Sequence, residues 1–128
     1  MNLALDQLKW DAGGLIPAII QDYASKQVLV LFWMNREALE LTLRTKKVHT
    51  YSRSRKRLAL KGESSGHFEH VKSVYTDCDQ DVVLIEVDQV GAACHEGYYS
   101  CFYRKLDTSG DWKVIGERVF DPETVYKK

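Results

Sequence analysis

Seven short runs of β-branched and aromatic residues follow one another along this chain, with a single long helical pattern among them, and that order leaves few folds open. The runs span 16–21, 28–33, 49–54, 68–75, 82–90, 99–106 and 112–119, and each reads as a strand. The first two flank Asp22-Tyr23-Ala24-Ser25-Lys26 and predict a hairpin, while Asp107-Thr108-Ser109-Gly110-Asp111 predicts a turn between the last two. Between the second and third runs Asn35 offers an N-cap, Glu37 suits the positive helix end, and Leu39 and Leu43 recur at i, i+4, which predicts a helix over 36–45. Asp121-Pro122-Glu123 has the cap-then-proline order that opens a short helix. Strands that succeed one another without intervening helices predict a mainly β domain of the α+β kind, with antiparallel pairing and a few helices.

Size and charge narrow the function. A chain of 128 residues with 45% apolar positions makes one domain over 1–128 and buries a real core. Lys plus Arg and Asp plus Glu number 18 each, so bulk charge holds neither nucleic acid nor an anionic membrane. The longest apolar run, Val28 to Met34, falls far short of the ~20 residues of a membrane helix. Met1 to Trp10 lacks the basic-then-apolar order of a secretory signal, and a cytoplasmic protein is expected. Three cysteines cannot all pair within the chain, so thiols for metal or chemistry are expected rather than a disulfide framework.

Three strings carry chemistry. In Asp77-Cys78-Asp79-Gln80-Asp81, an extended backbone would line three carboxylates along one side with Cys78 on the other. Like charges that close repel unless a cation neutralises them, and hard oxygen donors suit Mg²⁺ or Ca²⁺; a solvated acidic turn is the plain alternative. An EF-hand is excluded, because Val82 stands where its loop needs Gly. In Cys94-His95-Glu96-Gly97-Tyr98-Tyr99-Ser100-Cys101, two thiols and an imidazole are the makings of a zinc nest, with Cys78 as a third sulfur and one coordination position left open as in catalytic zinc. Against that stands the habit of cysteines to serve as small buried hydrophobes. The third string, Ser52-Arg53-Ser54-Arg55-Lys56-Arg57, is followed by Lys61-Gly62-Glu63-Ser64-Ser65-Gly66-His67. Guanidiniums, hydroxyls and a Gly-bounded loop suit phosphate, although a solvated basic edge strand and turn would look the same.

Together these strings resemble the phosphoribosyl-AMP cyclohydrolase family. The likeness is carried by Gly14-Leu15-Ile16-Pro17-Ala18, by Val30-Leu31-Phe32-Trp33-Met34-Asn35-Arg36-Glu37-Ala38-Leu39, by Tyr51 to Arg55, and by the Lys61 to His67, Asp77 to Asp81 and Gly91 to Phe102 segments. The resemblance implies a barrel-like β core in an intertwined homodimer. It implies Mg²⁺ on Asp77, Asp79 and Asp81, and Zn²⁺ on Cys94 and Cys101 of one subunit with Cys78 of its partner. The implied reaction is the third step of histidine biosynthesis, hydrolytic opening of the adenine ring of 1-(5-phosphoribosyl)-AMP at its C6–N1 bond to a formamidine-imidazole-carboxamide nucleotide. Zinc would lower the pKa of the attacking water, and His95 would move the proton between that water and N1. Arg53, Arg55, Lys61 and Ser65 are the expected partners of the substrate phosphates. Three thiolates weaken zinc's acidity, so cationic side chains or Mg²⁺ are expected nearby. The chain departs from the family pattern at Ala59 and Glu69, where Trp and Gln are usual. A zinc nucleobase deaminase is disfavoured, because His95 and Glu96 are adjacent and no cysteine pair has the Cys-x-x-Cys spacing. A zinc-stabilised RNA-binding module would lean on Arg53 to Arg57, without net positive charge or a binding motif.

Overall fold

The computed structural model describes residues 3–119. In chain order the elements are α1 (Leu3–Asp6), β1 (Leu15–Asp22), β2 (Val28–Asn35), α2 (Arg36–Thr45), β3 (His49–Ser52), β4 (Arg57–Leu60), β5 (Glu69–Thr76), β6 (Val83–Gln89), β7 (Arg104–Leu106) and β8 (Trp112–Val114). The helix expected at 121–123 lies outside the described residues.

The core is built on β1. Its alternation puts Ile16, Ala18 and Ile20 on the fully buried face, where Leu29, Met34, Leu39, Val48, Ile85 and Val87 close over them. Each such aliphatic side chain contributes about 1.5–3 kcal/mol by leaving water. The sheet order is β2-β1-β6-β5. β1 and β2 form the expected hairpin, antiparallel from Leu15↔Asn35 to Gln21↔Val28. Pairing between β1 and β6 is parallel and begins at Ala18↔Val83. Pro17, one residue earlier, has no N–H for a second ladder and pairs with Trp33 of β2 alone. β5 returns antiparallel beside β6.

One expectation is refined and one corrected. Pairing is mainly antiparallel as expected, but the sheet is mixed, because β6 enters parallel to β1 after a crossover that carries β2, α2, the β3–β4 hairpin and β5. Among the described residues the sheet is also open, not a closed barrel. β2 and β5 are its edges, and β5 receives on its outer side the isolated Lys47–His70 bridge.

Local chemistry fixes the rest. The Asn35 side chain accepts from the Ala38 N–H at 2.8 Å to start α2. Lys46, at φ 63°, ends it by donating to Thr42 O. Thr42 Oγ1 accepts from the His49 N–H at 2.9 Å and ties the helix to β3. The strands expected over 99–106 and 112–119 shorten to β7 and β8. They form a ribbon whose every residue is exposed, joined by a turn in which Asp107 Oδ1 accepts from the Ser109 and Asp111 N–H groups. No helix among the described residues is long and apolar enough to cross a membrane.

Candidate functional site

The three aspartates do meet, by a route other than strand alternation. β5 ends at Thr76, and Asp77 to Val82 form a turn in which the Gln80 N–H donates to Asp77 O at 3.1 Å with Gln80 at φ 60°. The reversal brings one carboxylate oxygen each of Asp77, Asp79 and Asp81 within 4.8 Å of one another, all exposed. Extended backbone would have spread them over two repeats of a strand; a turn converges them. Cys78 lies exposed in the same turn.

Cys94 and Cys101 are brought together by the loop between β6 and β7. The Cys94 N–H donates to Tyr98 O at 3.1 Å and the Gly97 N–H to Cys94 O at 3.0 Å. Gly97 takes φ 99° at this tight reversal, a conformation that favours glycine. The far limb is pinned to β2, with the Cys101 N–H on Leu29 O at 2.7 Å and Ser100 Oγ donating to Val28 O at 2.8 Å. Cys94 is buried and Cys101 half-buried. Burial, and then the hydrogen-bonded Cys94 thiol, push the Cys101 thiol up to about 12. Upstream, Gly91 takes φ 66° against the His67 ring, which a Cβ there would run into. Among the described residues no third His, Cys, Asp or Glu joins these two thiols within ligating distance.

His95 stands out into solvent, 78% exposed, with Nε2 3.2 Å from Glu96 Oε2. Arg118 approaches the other Glu96 oxygen at 4.0 Å. Lys61 is half-buried and turned towards the loop that carries Cys94. Its Nζ donates to Ala93 O at 2.7 Å, and its charge opposes the upward shift of Cys101. Arg53 stacks over the Trp33 ring at 4.6 Å. Both line a cleft of about 450 Å³ with Tyr51, Ser52 and Ser54. The Arg55 N–H donates to Ser52 Oγ, and Ser65 Oγ accepts from the His67 N–H at 3.1 Å.

Glu69 and Trp33 escaped the reading of the sequence as site residues. Trp33 had a signal, an aromatic on the strand ahead of an arginine-rich turn. Glu69 is fully buried, neither carboxylate oxygen has a hydrogen-bond partner, and burial lifts it to about 7 against the opposing pull of Lys61. Its one signal was a lone acid between Phe68 and Val71 in a strand pattern.

The donor chemistry suits two kinds of cation: an oxygen triad fits a hard ion such as Mg²⁺, and a sulfur pair fits Zn²⁺. A small β domain so equipped has the parts of a metal-assisted hydrolase. Residues 30–103 match the family model of phosphoribosyl-AMP cyclohydrolase. A phosphoribosyl-AMP cyclohydrolase of Pelotomaculum thermopropionicum is 53% identical over 128 residues, covering 100% of this chain and 99% of the relative. That of Chlorobium phaeovibrioides is 51% identical over 124 residues, covering 97% and 90%. The Burkholderia vietnamiensis protein of the same name is 51% identical over 127 residues, covering 96% and 92%. The chain belongs to the phosphoribosyl-AMP cyclohydrolase family.

Proposed function

We propose that this chain is a zinc-dependent phosphoribosyl-AMP cyclohydrolase of histidine biosynthesis, acting in the cytoplasm as a homodimer and hydrolysing the C6–N1 bond of the adenine ring. The observation that carries this reading is the thiol pair Cys94–Cys101, which gathers no third ligand among the described residues while Cys78 stands exposed on another turn. A second copy supplying Cys78 completes a three-sulfur set, and the exposed apolar side chains Leu106, Trp112, Val114 and Ile115 offer surface for that copy to cover. Zinc bound there lowers the pKa of a water.

The chain's own groups do the rest. His95, next to a sulfur ligand and turned to Glu96, carries the proton from the attacking water to N1 as the ring opens. Arg53, which lines the Trp33 cleft, holds the substrate phosphates together with Arg55 and Ser65. The Trp33 face is large enough to pack a purine. Lys61, drawn to Ala93 O, places its charge beside the loop of the thiols. Asp77, Asp79 and Asp81 would hold Mg²⁺, whose charge would offset that of the sulfur site and the phosphates. No nucleic acid or membrane takes part.

An absorbance assay on phosphoribosyl-AMP tests this, run on chelated protein before and after zinc is returned. Ring opening that is lost on chelation and restored by zinc is the expected result. Full turnover in protein shown by elemental analysis to hold no zinc would overturn the reading.

A further inference from the structure

We propose that the buried Glu69 carboxyl, acting through Lys61, sets how tightly the Cys94–Cys101 site holds zinc. The inference rests on the zinc reading above and goes beyond it by assigning two residues that touch neither metal nor substrate. Glu69 opens β5 with its side chain wholly withdrawn from solvent and both oxygens unpartnered. A carboxyl so placed is costly to ionise, and natural interiors keep few such groups without a use. Lys61 supplies the opposing charge. The ammonium is fixed at 2.7 Å from Ala93 O, one residue before Cys94, and both residues are tied to Val48, whose carbonyl accepts from the Lys61 N–H at 3.0 Å and whose N–H donates to Glu69 O at 3.1 Å.

Two charges of opposite sign therefore flank a site whose ligands bind as thiolates. A cation there favours the metal-bound thiolates and an anion disfavours them. Glu69 tempers Lys61, and the balance fixes the affinity. Because Ala93 O already holds Lys61 in place, removing Glu69 changes charge more than position.

The test is a set of zinc dissociation constants, measured by competition with a chromophoric chelator at about pH 8, on the purified full-length chain and its variants. Glu69→Gln should tighten zinc about tenfold, and Lys61→Met should loosen it by about tenfold, the scale of one charge acting over several ångströms in a partly wet interior. Lys61→Arg keeps the charge and should stay within about threefold of the parent. Without its cation the buried carboxyl keeps its proton, so Glu69→Gln added to Lys61→Met should change little. A merely structural Glu69 would alter the melting temperature and leave zinc affinity alone. Unchanged affinity in Glu69→Gln overturns the proposal, as does an equal effect in both backgrounds. Should Lys61→Met not fold, Lys61→Gln takes its place and Glu69→Gln alone still decides. The parent is measured first, so failure of its thiols to bind zinc separately overturns the zinc reading, and this inference with it.

Discussion

At the scale of single residues, the unusual energetics belong to Glu69. Its carboxyl titrates at about 7 in the fold against 4.5 for the free side chain. Below 4.5 both folded and unfolded chains are protonated there, so nothing is lost. As pH rises towards 7 the unfolded chain ionises first, and the fold loses stability until both states are charged. Glu69→Gln removes that loss. Its urea-unfolding free energy relative to the parent should climb between pH 4.5 and 7, by on the order of 2–3 kcal/mol; a difference that does not vary with pH would contradict the buried, unpartnered carboxyl. His95 offers the reverse case, an exposed side chain with little structural duty. His95→Asn should keep its zinc and its stability while kcat falls by roughly 10²–10⁴-fold, and an unchanged kcat would remove His95 from the chemistry. The clustering of the aspartates was legible because residues of one chemistry recur close together in the chain. Glu69 was not, since nothing local distinguishes a buried acid from one on a strand's wet face.

At the scale of elements, legibility followed the range of the forces involved. The bounds of α2 were readable because they rest on local bonds, Asn35 to the Ala38 N–H and Lys46 to Thr42. Asn35→Ala should cost about 1 kcal/mol in thermal or urea unfolding, and no loss would mean the cap is idle. The expected strand over 99–106 failed for the opposite reason. Ser100 and Cys101 bond to carbonyls of β2, some seventy residues away, and no local pattern foretells that partner. The parallel β1–β6 pair was equally hidden, because pairing across a crossover leaves no mark on either strand's alternation. In the β5–β6 turn the left-handed Gln80 converges carboxylates that an extended reading would have strung out. Asp79→Asn removes charge from that triad and leaves the sulfurs alone. Zinc content should persist while activity drops; loss of zinc with normal activity would contradict the division between the two sites.

At the scale of the whole molecule, the proposed homodimer would finish a site that, among the described residues, consists of two thiols beside an open sheet and an exposed β7–β8 ribbon. In the proposed dimer, Cys78 of one subunit joins Cys94 and Cys101 of the other. Cys78→Ala and Cys94→Ala homodimers should both be inactive. When the two variants are unfolded together and refolded with zinc, random pairing makes about half of the dimers mixed. Each mixed dimer has one site lacking both sulfurs and one site with all three. About a quarter of wild-type activity should return. No recovery, with exchange of subunits verified by mass spectrometry, would contradict the shared site.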